Sequence, residues 1–341
     1  MLFGRDIGID LGTATVLVST RKGVIMREPT VVSIDKNTGR LLNVGMAAQR
    51  MLGRTPGNIV AIRPMRDGAI CDYDMTERML KELVRKVQSF SLLKPRIIIS
   101  VPTGITEVEE RAVIDAGVAA GARKVYLMEA PLAAAYGAGL DISKPEGHMV
   151  IDIGGGTTDI AVLSLSGVVE SASLKAGGDA FDDALIKFIR RKHDVLIGEA
   201  TAEELKKGIV CVFPRSEAVA VEVKGRCLRR GLPRVVAVSS TDTLEAFEEV
   251  TERIVEAVHN VLETTPPELV ADISQNGIIL TGGNSLLWGF DKLIANRTNI
   301  TTLNADDADL CVANGLGKSL SWVGDMTEGA LNLARRKQMR I

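Results

Sequence analysis

Two stretches of this chain, IGIDLGTATVLV at 7–18 and VIDIGGGTTDIAVL at 150–163, repeat one layout. Each is an apolar run ending in Asp, a turn of Gly and Thr, and a second apolar run. Asp10 corresponds to Asp152 and Gly12 to Gly154. Short apolar runs joined by a glycine-containing turn read as β-hairpins. Two copies of one hairpin, each near the start of one half, predict two similar α/β lobes facing each other. At 341 residues the chain is also longer than one compact core usually holds.

The repeated turns carry chemistry. A bend rich in Gly and Thr exposes backbone N–H groups and hydroxyls in a small nest that fits phosphate. Glycine lets the backbone come close to the anion. An Asp at the strand end can hold a hydrated divalent cation through water, which suits magnesium. One such turn is as readily a plain hairpin turn, but turn chemistry alone asks for neither a preceding Asp nor a matched copy. Facing each other, the two would clamp a polyphosphate. A third glycine element, NGIILTGGNSLLWGF at 276–290, runs an apolar strand into Gly282-Gly283 and then a helical segment. A helix N-terminus there is an ordinary place for a nucleotide's sugar or phosphate.

Strand and helix signals alternate along the rest, as in an α/β architecture. PRIIISVP at 95–102 reads as a buried strand. A helix follows, opened by a capping box of Thr106 and Glu109 and stopped near Gly121. A second helix, GDAFDDALIKFIRRKH, puts Phe181, Leu185, Phe188 and Ile189 on one face. A third places Leu244, Phe247, Ile254, Val258 and Val261 at core spacing and ends at Pro266-Pro267. A β-rich patch lies between these two helices. The stretch KVYLMEAPLAAAYGAG at 124–139 reads as a strand running into an Ala-rich helix, with Glu129 as a candidate acid at the corner.

Other classes are disfavoured. A formal net charge of −2 gives no global reason to expect nucleic acid. Cys71, Cys211, Cys227 and Cys311 form no CxxC pair, and scattered thiols in a chain without an export signal fit a reducing cytoplasm. Arg5 and Asp6 break the N-terminal apolar run, which argues against a signal peptide. No apolar stretch approaches the roughly 18 residues of a membrane span. His148, His193 and His259 lack metal-ligand spacing.

In this order the three glycine elements resemble the superfamily of actin, sugar kinases and heat-shock chaperone ATPases. RDIGIDLGTA, EPTVVSIDKNTG, GRTPGNIVAIRPMRDGAICDYD, KPRIIISVPTGITEVEERAV, MVIDIGGGTTDIAVLSL, LIGEATAEELK, TPPELVADI and ILTGGNSLL are similar to the MreB/Mbl family of bacterial actin-like shape proteins, over about residues 4–320. The resemblance implies an actin-like ATPase fold of two ribonuclease-H-like lobes with a nucleotide cleft between them. One lobe would comprise 1–145 with 312–341, with its small subdomain at 33–75. The other would comprise 146–311, with its small subdomain at 181–240. It implies ATP or ADP with magnesium in the cleft, paired protofilaments, and contact with MreB paralogues and with cell-wall synthesis and shape proteins. It places the protein in the cytoplasm, at the inner face of the cell membrane.

Carried onto these positions, the first phosphate loop is Gly12, Thr13, Ala14 and Thr15. The second is Gly154, Gly155, Gly156, Thr157 and Thr158, with Thr157 also catalytic. Glu204 and Lys207 would lie by the nucleoside, and Gly282, Gly283, Asn284 and Ser285 would close the pocket. Asp10 and Asp152 would order the metal's waters. The family's membrane loop corresponds to QSFSLLKPR, with Phe90, Leu92 and Leu93 entering the lipid interface. Read without the family, Leu92 and Leu93 simply begin the buried strand.

The chain departs from the family pattern at cleft positions. Relatives carry Glu directly before the Pro of the corner, where it orients the attacking water. Here Ala130 holds that place and Glu129 is one residue off. Thr15 stands for the usual Asn, Gly208 for Glu, Val210 for Gly and Asn284 for a third Gly. Slow or absent hydrolysis is the expectation, since a missing water-positioning group costs about two or more orders of magnitude in rate. The alternatives are a conventional filament ATPase in which Glu129 substitutes, and a regulatory pseudo-ATPase that co-polymerises with an active paralogue. A sugar kinase has only superfamily analogy behind it. The roughly 20 residues after position 320 are too few for a chaperone's substrate domain.

Overall fold

A computed structural model describes residues 6–88 and 94–324. Phe90, Leu92 and Leu93 lie outside the described residues.

The internal repeat extends from two hairpins to two whole sheets. In the first half, Ile7–Leu11, Thr15–Thr20 and Gly23–Pro29 run antiparallel, and Arg96–Val101 then Lys124–Glu129 add in parallel beside Ile7–Leu11. In the second, His148–Ile153, Thr158–Ser164 and Gly167–Leu174 run antiparallel. There Ile278–Thr281 and Thr302–Asn304 add in parallel beside His148–Ile153. Both sheets thus have the same five-strand order. Asp10 and Asp152 lie at equivalent places on the central strands, next to the turns. Each half also carries a smaller three-stranded sheet, built from Val32–Asp35, Leu41–Val44 and Ile59–Ile62 in one, and Val195–Leu196, Ala220–Cys227 and Pro233–Ser239 in the other.

The helices form where apolar spacing and caps place them. Thr106 and Glu109 make the capping box that opens Glu107–Ala119. Gly178–His193 buries Phe181, Leu185, Phe188 and Ile189. Phe181 meets Phe247 and Phe290 edge-on, with centroids 4.9 and 5.9 Å apart. Each such buried side chain stabilises by about 1.5–3 kcal/mol, so the start of this helix is firmly placed. Ser240–Thr264 buries Phe247, Ile254, Val258 and Val261, with Leu244 half-buried; Pro267 opens a new helix, Pro267–Asn276.

A separate core joins the halves. Helix Ala130–Ala138 crosses Cys311–Ser319 so closely that a Cβ on Gly137 would lie 1.8 Å from Cys311 O, and one on Gly315 would lie 1.8 Å from Ala133 O. Around this crossing, Ile98 and Tyr126 of the first sheet share a cluster with Val150 and Ala161 of the second. The Ala-rich run of the corner segment is therefore the packing surface between lobes. Among the described residues no helix is long and apolar enough to cross a membrane.

Candidate functional site

Between the two sheets opens a cavity of about 830 Å³, a size ordinary for a small-molecule site. Its floor is the pair of repeated turns, and they touch. A Cβ on Gly155 would lie 2.6 Å from that of Ala14, and one on Gly156 would lie 2.4 Å from Thr13 Oγ1. Only glycine permits this approach, so the sequence GGG sets how close the two nests come. Gly12, Thr13, Ala14, Thr15, Gly154, Gly155, Gly156 and Thr157 all line the cavity. Thr158 faces away and donates to Ala176 O at 2.6 Å.

Asp10 and Asp152 line the same floor. Burial lifts Asp10 to a pKa of about 6, against the pull of the Ser100 hydroxyl, which donates to Asp10 Oδ1 at 2.7 Å. Burial, then Asp159 and Asp10, lift Asp152 to about 7, although Thr281 donates to Asp152 Oδ1 at 2.9 Å. Two desolvated carboxylates, one of them raised further by the charge of the other, form a place that favours a cation. The residues therefore fit a hydrated divalent ion beside a polyphosphate.

The corner at Glu129, Ala130 and Pro131 follows the register. Ala130 lines the cavity; Glu129, 2% exposed, ends the strand outside the lining. A one-residue shift at a strand end turns a side chain to the opposite face. Across the cleft the Thr157 hydroxyl donates to Asp159 Oδ2 at 2.8 Å. Asp159 Oδ1 accepts from Thr103 N at 3.1 Å and Thr103 Oγ1 at 3.3 Å, which ties the second turn to the first half.

The nucleoside end differs from expectation in two ways. Glu204 is exposed and outside the lining, where Glu203, Lys206 and Lys207 stand. Helix Glu199–Ile209 buries Ala202, Leu205 and Ile209, and that phase turns Lys206 inward and Glu204 outward. Lys207 pairs with Glu203 at 2.6 Å. The second difference concerns the third glycine element. The segment after Thr281 is a turn, and helix Phe290–Thr298 begins only at Phe290. Ser285 Oγ donates to Gly282 O at 2.7 Å and Asn284 Nδ2 to Gly154 O at 2.8 Å. Side chains bonded to backbone in this way compete with helix formation. Ser285 is buried and outside the lining, while Gly282, Gly283 and Asn284 line it.

The helix that does abut the phosphate turns is Gly178–His193. Gly178 N donates to Gly154 O at 3.0 Å and Asp179 N to Gly155 O at 2.8 Å. Its signal in the sequence was the pair Gly177-Gly178 ahead of an amphipathic run. Across the cleft mouth Arg63 reaches Asp179 at 3.1 Å and Glu199 at 3.5 Å.

The geometry has counterparts. Residues 4–328 match the family described as MreB/Mbl protein. The cell shape-determining protein Mbl of Bacillus cereus is 49% identical, over 97% of this chain and all of its own length. The cell shape-determining protein MreB of Escherichia coli is 47% identical, over 97% of each. The crystal structure of MreB5 of Spiroplasma citri bound to ADP superposes with a TM-score of 0.89 at 34% identity, covering 94% of this chain and 97% of that one. The fold is actin-like, and this chain belongs to the MreB/Mbl family.

Proposed function

We propose that the chain is an actin-like filament subunit that helps determine cell shape and holds ATP or ADP in the interlobe cleft, with slow turnover. The observation that carries this reading is the contrast within one cavity: two phosphate turns in contact, and a bare Ala130 facing them. The relatives' names supply the cell-shape role, and the ADP in the similar MreB5 supplies the ligand class.

In this reading the backbone N–H groups of both turns hold the phosphates. Asp10 and Asp152 would hold magnesium through its waters, and the ion would neutralise phosphate charge when bound. Thr157 gives its single proton to Asp159, so its lone pairs stay free to accept from a water near the terminal phosphate. With no carboxylate at position 130, that water has one positioning group rather than two.

Filaments lying on the inner face of the membrane, where they organise wall synthesis, complete the proposal. A weak monomer contact through Phe90, Leu92 and Leu93 would add up along a polymer.

The test is phosphate release by purified protein beside Ala130→Glu. The variant is expected to be about a hundredfold faster. Wild-type turnover equal to the variant's would sink the slow-hydrolysis reading. A second reading, a regulatory subunit that co-assembles with an intact paralogue, rests on the missing carboxylate at Ala130 in the cavity lining. Co-sedimentation with such a paralogue discriminates, and separate pelleting would exclude it.

A further inference from the structure

A concentration of positive charge lies away from the cleft, at the tip of the second half's small sheet. The stretch KGRCLRRGLPR at 224–234 holds five basic residues and no acid, in a chain whose formal net charge is −2. Ala220–Cys227 and Pro233–Ser239 pair antiparallel with Arg226 opposite Pro233, so residues 228–232 form the hairpin's end. Arg229 and Arg230 are exposed there, and Leu228 and Leu232 on either side of them are 41% and 62% exposed. Behind them the exposed Val235 stands opposite Lys224. Among the described residues, Arg229 alone of the five basic groups meets a carboxylate, Asp194 Oδ2 at 2.7 Å. Single exposed leucines are ordinary, but leucine and arginine gathered on one projecting end are the composition of an interaction surface.

Backbone bonds fix this end. Cys227 N donates to Leu232 O and Gly231 N to Cys227 O, each at 2.8 Å, and Gly231 supplies the positive φ of +72° that closes the turn. Leu228 N donates to Asp194 O at 2.9 Å and Arg234 Nη1 to His193 O at 3.1 Å, which fastens the hairpin to the C-terminal end of helix Gly178–His193. We propose that the hairpin end is a second lipid contact. Leu228 and Leu232 enter the interface of an anionic membrane, and Arg229 and Arg230 lie among its phosphate headgroups. The inference rests on the membrane reading given above. It adds a contact carried by the second half of the chain, whereas Phe90, Leu92 and Leu93 belong to the first.

The form of the end selects a membrane over a folded partner. Residues 228–235 are all exposed, and a Cβ on Gly231 would meet nothing within 4 Å. That is a convex end rather than a groove, and a fluid surface needs no matching shape to receive it. Leucine gains by leaving water, while arginine lays its stem along the apolar layer and keeps its charge at headgroup level. Positive charge without interspersed acids is drawn to anionic lipid and gains nothing from neutral lipid. Because the turn is already fixed, little ordering is lost on contact. One end binds weakly, and repetition along a filament multiplies it.

The experiment is co-sedimentation of the full chain with vesicles of phosphatidylcholine alone, and with vesicles of phosphatidylcholine and phosphatidylglycerol in about equal parts. Wild type is expected to prefer the anionic vesicles, and the preference should shrink as salt is raised. Arg229→Gln combined with Arg230→Gln should weaken anionic-vesicle binding about tenfold, with assembly in the absence of vesicles unchanged by light scattering. Insertion is read separately from Leu232→Trp. Brominated acyl chains should quench it beyond the wild-type level, for which Trp288 and Trp322 are the background. Equal vesicle binding by wild type and the arginine variant overturns the inference, as does a Leu232→Trp signal that bromine leaves unchanged. An arginine variant that loses assembly without vesicles makes the end a contact between copies of the chain, which also overturns it. Binding that survives the arginine variant but is abolished by Phe90→Ser, Leu92→Ser and Leu93→Ser together defeats this inference alone. Wild type that binds neither vesicle defeats the membrane reading with it.

Discussion

The two halves share a strand order and a matched turn, yet they brace those turns differently. In the first half the turn is held by its own lobe. Thr30 donates to Gly12 O at 2.7 Å and to Ala14 O at 3.0 Å, and Gly68 N donates to Thr13 Oγ1 at 2.9 Å. In the second half Gly154 N meets Thr157 O at 2.8 Å, and Gly154 O takes bonds from both Gly178 N and Asn284 Nδ2. Asp159 then carries the bracing into the first half through Thr103. The second turn is thus fixed from three directions, and the Ala130 corner opposite it offers only a methyl group. In the proposed reading, the turns that would hold phosphate and the corner that would cleave it belong to different elements, so one can change without the other.

The largest break in this comparison is expected from Gly156→Val. Its Cβ would lie 2.4 Å from Thr13 Oγ1, 2.9 Å from Thr13 Cβ and 3.0 Å from Asp67 Cα. Backbone on one side and a braced threonine on the other leave it nowhere to move. Overpacking of this kind costs about 1–3 kcal/mol or more, so ATP affinity should drop about a hundredfold by calorimetry. Gly57→Ala, where a Cβ would meet nothing within 4 Å, is the silent control. Unchanged affinity in Gly156→Val would mean that the two turns do not share one ligand.

A smaller effect isolates the water-positioning side. Asp159→Asn in the Ala130→Glu background can place its amide at the atom that now accepts from Thr157. The Thr157 hydroxyl must then accept, and its proton swings toward the cleft. Phosphate release should fall about tenfold with ATP affinity nearly unchanged. Equal losses in both quantities would make Asp159 a structural brace only.

How much of this was legible in the sequence depended on range. Hairpins, the Thr106–Glu109 box and the Phe181 face were readable because turn chemistry and periodicity act within a few residues. The corner register at Ala130 came from the family resemblance, since the neighbouring residues alone offered Glu129 as the candidate acid. Of the two residues expected beside the nucleoside, Lys207 lines the cavity and Glu204 does not, because LIGEATAEELK shows two adjacent acids and nothing local chooses between them. The buried Ala202, Leu205 and Ile209 set the phase that puts Glu203 in the lining in place of Glu204 and adds Lys206 beside Lys207. Asp159 was beyond sequence reasoning. It is defined by Thr103, 56 positions away. The turn after Thr281 was misread for the same reason, since the partner of Asn284 is 130 positions distant.

That residue provides the finest test of the comparison, because two accounts of it predict opposite signs. If Asn284 projects toward the ligand, as its replacement of a glycine implies from sequence, then Asn284→Gly should tighten ATP binding. In the structure its Nδ2 is committed to Gly154 O at 2.8 Å, and its N–H meets Ile153 O at 3.0 Å. The same amide fills the space over Gly178, where a Cβ would fall 2.7 Å from Nδ2 and 3.1 Å from Lys206 Nζ. Asn284 therefore packs beneath the second turn, joining it to the third glycine element. Removing the side chain deletes a bond worth about 1 kcal/mol and adds backbone freedom to the turn after Thr281. ATP affinity should fall about fivefold. Asn284→Ala, which also lacks the amide but restrains the backbone, should lose less. A gain in affinity for either variant would place the side chain in the ligand's path and remove the brace that distinguishes the second turn from the first.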